Sequence, residues 1–337
     1  MLVGLQNRTS CPIYCCLQAW HDNCLTEVHA VMVLSRGLLT AHRILRGGSP
    51  GLLSVCARSM SAVPNYSYEC LQVTQPKELV YHVELNRPDK RNALSHRLFQ
   101  ELIECFGKIS TDPECRAVVL SGAGKMFCAG IDLKELTNVS GKDTDDVGRR
   151  AFIVRKELPP MQESMSAPEK CLKPVIAAMH NGVIGGGIDL STACDIRYCS
   201  QDAYFQVKET EIGLAADLGT LARLPKIIGN QSLVRELTFT GRKMPADEAK
   251  KAGYVSKVFP DHKALLEGAV ETAEFIASKS PIAVQGSKVN LLYARDHSVE
   301  DGLQYVMTWN QAMVQSEDIM KGAMAAMSKE KAVYSKL

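Results

Sequence analysis

The chain has 337 residues, of which 46% are hydrophobic, so it is long enough to bury a sizeable core and its composition excludes wholesale disorder. Residues 1–63 hold five arginines and only two acids, which leaves the rest of the chain with 34 basic and 35 acidic residues and argues against a strongly basic nucleic-acid surface. No apolar run reaches the roughly 18 residues of a membrane span, and the twelve cysteines include no C-x-x-C pair, so we expect reduced thiols and no metal site.

Both ends of the chain carry patterns typical of targeting signals. Residues 25–62 are rich in arginine, serine and leucine and poor in acids, which favours a cleavable mitochondrial presequence. A disordered extension without a targeting role is the alternative. The last residues, Ser335, Lys336 and Leu337, form the SKL signal that a peroxisomal import receptor reads at an exposed carboxyl terminus. The two signals together predict location in the mitochondrion and the peroxisome.

The predicted folded part starts at residue 64 and alternates strands with helices. Strand, tight turn and helix recur at a fixed interval, which indicates an α/β spiral of similar turns. The predicted strands are 78–85, 117–122, 174–182, 196–200 and 203–207, and the predicted helices are 95–110, a short segment after Gly130, a segment from Ile188, 221–229 and 232–241.

From about residue 246 the pattern becomes mostly helical. Four methionines (Met313, Met320, Met324 and Met327) are spaced by seven, four and three residues, which places them on one helix face. Such a face is typical of core or subunit packing. We therefore divide the chain into a presequence or disordered segment at 1–63, a core at 64–260 and a helical C-terminal region at 261–337.

One tetrapeptide, GIDL, occurs twice, 57 positions apart. The first copy consists of Gly130, Ile131, Asp132 and Leu133, and the second occupies residues 187–190. A small residue, Ala129 or Gly186, precedes each copy at an expected helix start, where main-chain N–H groups lack acceptors. If the copies lie on adjacent turns of the spiral, the N–H groups of Ala129 and Gly186 converge on one oxygen and form an oxyanion hole. The alternative is that both glycine groups are caps or close-packing positions.

The motifs around these copies carry a family resemblance. Between about residues 70 and 260, the segments LNRPDKRNALS, FCAGIDLKEL, HNGVIGGGIDL, ACDIRY and ETEIGL resemble the crotonase (enoyl-CoA hydratase/isomerase) superfamily in order and spacing. The resemblance implies a ββα spiral core, a helical C-terminal region that builds homotrimers or homohexamers, and an acyl-CoA thioester as the ligand. It also implies that N–H groups at the positions of Ala129 and Gly186 hold the thioester oxygen. No cofactor is expected, since coenzyme A is part of the substrate.

Three acids, Asp189, Glu209 and Asp217, are the candidates for proton transfer. Hydratases of the family have glutamates at the positions of Asp189 and Glu209 and usually glycine at that of Asp217. The two departures resemble the branch of the family that converts 3,5-dienoyl-CoA to 2,4-dienoyl-CoA in fatty-acid β-oxidation. That reaction removes a proton from carbon 2 and adds one at carbon 6, which are too far apart for one carboxylate. We assign Glu209 as the base, Asp217 as the donor and Asp189 as the residue that orients or tunes them.

Each acid also has a purely structural interpretation. Asp189 could cap a helix start, Glu209 could belong to a solvated cluster with Lys208 and Glu211, and Asp217 could cap the next helix. To donate a proton near neutral pH, Asp217 needs a pKa raised by apolar burial or by neighbouring carboxylates. Its apolar sequence neighbours favour such burial.

The basic loop with Arg87, Lys90 and Arg91 matches the segment that faces CoA in the family, and its side chains suit phosphate. A solvated charged turn is the alternative for this loop. His180 is interpreted as a hydrogen-bonded turn residue in preference to a substrate contact.

Two other functions stay open. The first is a 2-enoyl-CoA hydratase that uses Asp189 and Glu209 on water. The second is a scaffold of the same fold that binds RNA or a protein partner without turnover. The near-neutral body and the set of three acids argue against the scaffold.

Overall fold

The computed structural model describes residues 61–132, residue 135 and residues 146–337. Leu133 and the predicted segment 1–63, apart from its last three residues, lie outside this part of the chain. The strands are β1 (Ser61–Ser67), β2 (Leu71–Lys77), β3 (Val80–Leu85), β4 (Ala117–Gly122), β5 (Val175–Met179), β6 (Gly182–Ile184), β7 (Ile196–Ser200), β8 (Tyr204–Gln206), β9 (Met244–Pro245) and β10 (Lys257–Phe259).

Helices alternate along the chain with single strands or short groups of strands, as the spiral pattern predicts. They are α1 (His96–Thr111), α2 (Val147–Lys170), α3 (Gly186–Thr192), α4 (Thr220–Ile227), α5 (Gln231–Thr240), α6 (Ala246–Lys251), α7 (His262–Ala277), α8 (Pro281–Ala294), α9 (Val299–Met313) and α10 (Glu317–Ser328). Two 3₁₀ turns, Pro88–Lys90 and Glu209–Ile212, complete the described elements. None of the helices in the described ranges is both long and apolar enough to cross a membrane.

Seven strands form one sheet in the order β1-β2-β3-β4-β5-β7-β10. The first two pairs are antiparallel, and the strands from β3 to β10 are parallel to their neighbours. All six residues of β4 are buried, which explains why this central strand appears in the sequence as an uninterrupted apolar run. A second sheet holds β6, β8 and β9. The predicted strands at 78–85, 117–122, 174–182, 196–200 and 203–207 are confirmed within a few residues at their ends.

The sheet starts earlier than the sequence pattern indicates. The strand β1 begins at Ser61, three residues before the predicted start of the core at residue 64, and it pairs with the unpredicted strand β2. Pro64 lies within β1, and a proline without an N–H group is tolerated there because β1 is an edge strand. The presequence assignment for the preceding residues stays a prediction.

Helix α7 covers the second face of the large sheet. Its buried residues Leu265, Ala269 and Ala273 pack against alternate residues of the central strands, including Val119 and Ala178. The other residues of the same strands face the larger core, because successive side chains of a strand point to opposite faces. The start of the C-terminal region is therefore part of the sheet packing and not a separate helical layer.

The last three helices leave much apolar surface uncovered in the single chain. Leu291 and Leu303 are 72% and 62% exposed, and Met320 and Met324 are 60% and 65% exposed. A groove of about 830 Å³ runs between α8, α9 and α10. The methionine face predicted for core or subunit packing therefore does not pack into the core of this chain.

Candidate active site

The two glycine segments that carry the GIDL copies lie side by side. The N–H of Ile184 donates to the carbonyl oxygen of Cys128 over 3.0 Å. A Cβ atom added at Gly187 would lie 3.1 Å from the Cβ of Cys128, and one at Gly130 would lie 3.1 Å from the carbonyl oxygen of Ile184. Both positions favour glycine, because a Cβ atom at either one would force its neighbour to shift by a few tenths of an ångström. The predicted juxtaposition of the two turns is confirmed.

The N–H of Ala129 is not available to a ligand, because it donates to the carbonyl oxygen of Arg91 over 3.0 Å. Its assignment as an oxyanion donor is therefore wrong. Two residues later, Ile131 pairs with Leu94 in a parallel bridge. The main chain of Leu94 forms its hydrogen bonds with the residues before and after Ile131 and not with Ile131 itself. This pattern turns the N–H of Ile131 away from Leu94. Within the described part of the chain that N–H has no acceptor, so Ile131 takes the place of Ala129.

Gly186 is the first residue of α3, so its N–H has no acceptor within the helix. Gly185 before it has φ +50° and ψ −117°, a conformation that glycine adopts far more readily than other residues. The N–H of Gly185 donates to the carbonyl oxygen of Gln206 over 2.9 Å, which fixes the turn. The prediction that Gly186 presents an N–H at a helix start is confirmed.

A cavity of about 200 Å³ brings the candidate groups together. Main-chain donors, two of the three acids and several aliphatic side chains share its wall, which suits a thioester with an apolar chain. The lining residues are Ala129, Gly130, Ile131, Ile184, Gly185, Gly186, Asp189, Lys208, Glu209, Ile212, Leu214 and Leu218.

Glu209 presents a free carboxylate oxygen to this cavity. Its Oε2 atom is buried and has no hydrogen-bond partner among the described residues, and its Oε1 atom would lie 3.0 Å from a Cβ added at Gly185. Burial, followed by the negative charge of Asp189, raises the pKa of Glu209 to about 7. The nearby Glu211 is the residue that pairs with Lys208, over 2.8 Å. The solvated-cluster interpretation therefore fits Glu211, and Glu209 has the pKa of a general base.

Asp189 lines the same cavity as Glu209 and is only 1% exposed. Its Oδ1 atom accepts a hydrogen bond from the N–H of Thr220 over 2.6 Å, so it caps α4 and not its own helix. Burial raises the pKa of Asp189 to about 6, although the hydrogen bonds from Thr220 act in the opposite direction. The carboxyl group therefore links two helices and sets the charge next to Glu209.

Asp217 lies beside the cavity and does not line it. The expected apolar burial is only partly found, because Ala216 and Leu218 are buried whereas Leu214 and Asp217 itself are exposed in the single chain. Even so, partial removal of water by the surrounding protein raises the pKa of Asp217. Its negative charge also raises the pKa values of Asp189 and Glu209. The three acids thus form one interacting group.

The basic loop is more structural than the sequence indicates. The guanidinium of Arg87 contacts the carbonyl oxygen of Ala93 and pairs with Asp132 over 3.3 Å. Arg87 is therefore committed within the chain, whereas the side chains of Lys90 and Arg91 are exposed and accessible to a phosphate group. The acyl-CoA contacts expected of this loop stay a prediction for those two residues.

Asn92 is a structural residue that the sequence analysis missed. It is fully buried, and its side-chain amide donates to the carbonyl oxygens of Ala123, Met126 and Phe127. Its φ of +56° is one that asparagine tolerates better than most residues, which is the signal in RNALS that could have indicated a tight turn. His180 bonds through Nε2 to the carbonyl oxygen of Gly124 over 3.0 Å, as a turn histidine does.

Comparison with known proteins places these features in a family. Residues 75–336 match the family model described as enoyl-CoA hydratase/isomerase. The chain is 56% identical to the mitochondrial Delta(3,5)-Delta(2,4)-dienoyl-CoA isomerase of Pongo abelii over 83% of this chain and 85% of that protein. It is 45% identical to the peroxisomal protein of the same name from Arabidopsis thaliana, over 80% and 99% of the two chains. The crystal structure of an enoyl-CoA hydratase from Bacillus anthracis superposes with a TM-score of 0.72 at 33% identity, covering 79% of this chain and 99% of that one.

Replacing Gly130 with alanine is expected to lower kcat/KM for an acyl-CoA substrate by at least about 100-fold, the typical loss for one oxyanion donor. Gly130 has φ +91°, and its new Cβ would press on the carbonyl oxygen of Ile184, which displaces the N–H of Ile131. The control is Gly253→Ala, because Gly253 has φ +79° but an added Cβ would meet nothing within 4 Å. Equal rates in the two variants would contradict the assignment of Ile131.

The pH dependence of turnover is expected to report the pKa of Glu209. A base must be deprotonated, so kcat/KM should rise with pH through about 7. In Asp189→Asn the amide oxygen still accepts from Thr220, but the negative charge is lost, so the pKa of Glu209 falls and the rising limb moves to lower pH. Asp247→Asn, which changes an exposed carboxylate on α6, is the control. An unmoved limb in Asp189→Asn would contradict the coupling.

Proposed function

The chain belongs to the enoyl-CoA hydratase/isomerase family, and we propose that it is an isomerase that converts 3,5-dienoyl-CoA to 2,4-dienoyl-CoA in fatty-acid β-oxidation. Relatives named for this reaction share 45% to 56% of its residues over most of its length. The observation that carries the assignment to the site is the buried Oε2 atom of Glu209, which has no hydrogen-bond partner among the described residues and lies in a residue that shares one cavity with two unused main-chain N–H groups.

The reaction begins when the Glu209 carboxylate removes a proton from carbon 2 of the substrate. The electron pair of the broken C–H bond moves onto the thioester oxygen and along the conjugated chain, which gives a dienolate. The N–H groups of Ile131 and Gly186 donate to that oxygen, where charge develops in the transition state. Protonation of carbon 6 by Asp217 then completes the shift of both double bonds.

The three acids divide this work according to their surroundings. Glu209 has a pKa of about 7, so a large share of it is ionised at neutral pH and able to act as the base. The raised pKa of Asp217 keeps more of that group protonated than an ordinary aspartate would be. Asp189 touches neither carbon and tunes the pair through its charge. No cofactor is proposed, because carboxyl and main-chain N–H groups supply all of this chemistry and CoA is part of the substrate.

The isomerase assignment is tested with purified protein and 3,5-octadienoyl-CoA. The extended conjugation of the 2,4-diene should raise the ultraviolet absorbance. In Asp217→Asn the rate should fall by at least about 100-fold, within the range for loss of a general acid, while binding of the thioester is largely retained. Asp247→Asn again serves as the control.

Two outcomes of that assay would contradict the assignment. Undiminished turnover by Asp217→Asn would remove Asp217 from the mechanism. Hydration of a simple 2-enoyl-CoA at a rate above that of the diene shift would identify a hydratase, and failure to process any acyl-CoA would favour the non-catalytic scaffold.

The exposed apolar face of the C-terminal helices supports assembly into a homotrimer or homohexamer. Large contiguous apolar patches are uncommon on monomeric proteins. Met320, Met324 and Leu291 contribute to this surface next to the groove between α8, α9 and α10.

Introducing charge into this face is expected to dissociate the oligomer. The double variant Met320→Glu with Met324→Glu should lower the mass measured by light scattering towards that of one chain, because two carboxylates would be desolvated at the interface. Gln100→Glu, on the exposed side of α1, is the control. An unchanged mass in the double variant would exclude this surface as the interface.

The dual location is proposed from both ends of the chain and from the mitochondrial and peroxisomal names of the relatives. The three residues of the SKL signal are exposed, but Lys336 pairs with Glu114 over 2.6 Å and the hydroxyl of Ser335 donates to Glu317. Arg116 also donates to the carbonyl oxygen of Ser335. Binding of the peroxisomal import receptor to Ser335, Lys336 and Leu337 is proposed to displace these contacts.

A further inference from the structure

One face of α2 carries three polar side chains that reach the acid-bearing segment. Gln162, Ser166 and Glu169 are spaced by four and three residues, so they lie above one another on the helix surface. The side-chain amide of Gln162 donates to the carbonyl oxygen of Asp217 over 2.7 Å. Ser166 and Glu169 both accept from the guanidinium of Arg223, over 2.9 and 2.7 Å. The helix therefore holds the segment 217–223 at both of its ends.

The ion pair at one end is well protected from solvent. The side chains of Arg223 and Glu169 are only 12% and 15% exposed, and Glu169 also pairs with Arg295 over 2.8 Å. Burial alone would raise the pKa of Glu169, but hydrogen bonds from Arg295 and Arg223 lower it to about 2. Glu169 is thus charged at every relevant pH and fixes the planar guanidinium of Arg223 through directed bonds.

The fixed guanidinium lies against the turn that contacts Asp189. A Cβ added at Gly219 would fall 2.2 Å from Nη1 of Arg223 and 3.9 Å from Oδ1 of Asp189, so both charged groups lie close to this glycine and leave no room for a side chain. The next residue, Thr220, gives its N–H to Asp189. The positive charge of Arg223 lowers the pKa of Asp189, in opposition to burial.

We propose that Gln162, Ser166 and Glu169 are positioning residues of the isomerase reaction. They touch no substrate atom. They hold the Asp217 main chain at one end of the segment and Arg223 at the other, and through Arg223 they set the charge on Asp189 and hence the proton affinity of Glu209. This role rests on the proposed function, because the residues of α2 are proposed to position the acids that carry out that proton transfer.

A role in general packing predicts different behaviour. A packing residue contributes to the free energy of unfolding without selectively lowering kcat or changing a pH profile. A positioning residue lowers kcat while KM stays nearly constant, because the CoA contacts and the oxyanion donors lie on other elements. The two that bond to Arg223, Ser166 and Glu169, also change the titration of Glu209. The two roles are therefore separable by measurement.

The decisive pair of variants is Glu169→Gln and Glu163→Gln. Both make the same chemical change on α2, but Glu163 pairs with Lys170 and does not contact the segment 217–223. Glu169→Gln should lower kcat for 3,5-octadienoyl-CoA by about 10- to 100-fold, the range for a small misplacement of reacting groups. KM should stay within about twofold. Glu163→Gln should match the wild type.

The pH profile gives the second readout. Glutamine at position 169 keeps an acceptor but lacks the charge that fixes Arg223, so the guanidinium is held less firmly and is expected to turn from the buried segment towards solvent. With Arg223 displaced in this way, Asp189 keeps its proton to higher pH, and the loss of that negative charge lowers the pKa of Glu209. The rising limb of Glu169→Gln should therefore move to lower pH. Gln162→Met removes only the exposed contact to Asp217 and should lower kcat with an unmoved limb. If Glu169→Gln fails to fold, the lowered kcat of Gln162→Met still decides between positioning and packing.

Equal kcat values and pH profiles for Glu169→Gln and Glu163→Gln would overturn the proposal. Failure of the proposed function is recognised separately, because the wild type itself would not convert the diene. In that case the pKa of Glu209 is measured without turnover, by infrared spectroscopy of its carboxyl group with Glu209→Gln as the reference. A lower pKa in Glu169→Gln alone supports the role of α2, and an unchanged pKa overturns it.

Discussion

The close approach of two glycine-bearing backbones is the constraint on which the site depends. Gly130 packs against the carbonyl of Ile184, and Gly187 packs against Cys128, so closely that a side chain at either position would force its neighbour to move. This contact aligns a loop after β4 with the turn before α3, so that two N–H groups without acceptors in the described chain line one cavity. The cost of ordering glycine is offset by a donor geometry that exists before any ligand arrives.

The acids are organised by burial and by one another more than by ion pairs. Asp189 is buried and accepts a hydrogen bond from the start of α4, and the charges of Asp189 and Asp217 both raise the pKa of Glu209. Arg223, whose positive charge lowers the pKa of Asp189, pairs with Glu169 on α2. The pKa of Glu209 therefore stays close to 7. The negative charge that balances Arg223 lies on Glu169, outside the cavity.

The sequence predicts the elements that have a regular hydrophobic periodicity. It does not predict features that depend on contacts between distant parts of the chain. The strands β4 and β7 and the amphipathic helix α1 are predicted within a residue or two, because local patterning determines them. Helix α2 was missed because it contains Pro159, Pro160 and Pro168 and buries few residues. The shift of the oxyanion donor from Ala129 to Ile131 depends on which N–H the carbonyl of Arg91 occupies, and no side-chain pattern encodes that choice.

A binding site built from peptide groups has an evolutionary consequence. The donor at position 131 belongs to the main chain, so isoleucine there can be exchanged for another residue without loss of the hydrogen bond. The glycine before it has no such freedom, since its φ of +91° and its contact with Ile184 exclude a branched or even a methyl side chain. Position 130 should therefore tolerate few substitutions, whereas the adjacent position 131 should tolerate many. Substitutions at residue 131 can then change the shape of the cavity that holds the acyl chain.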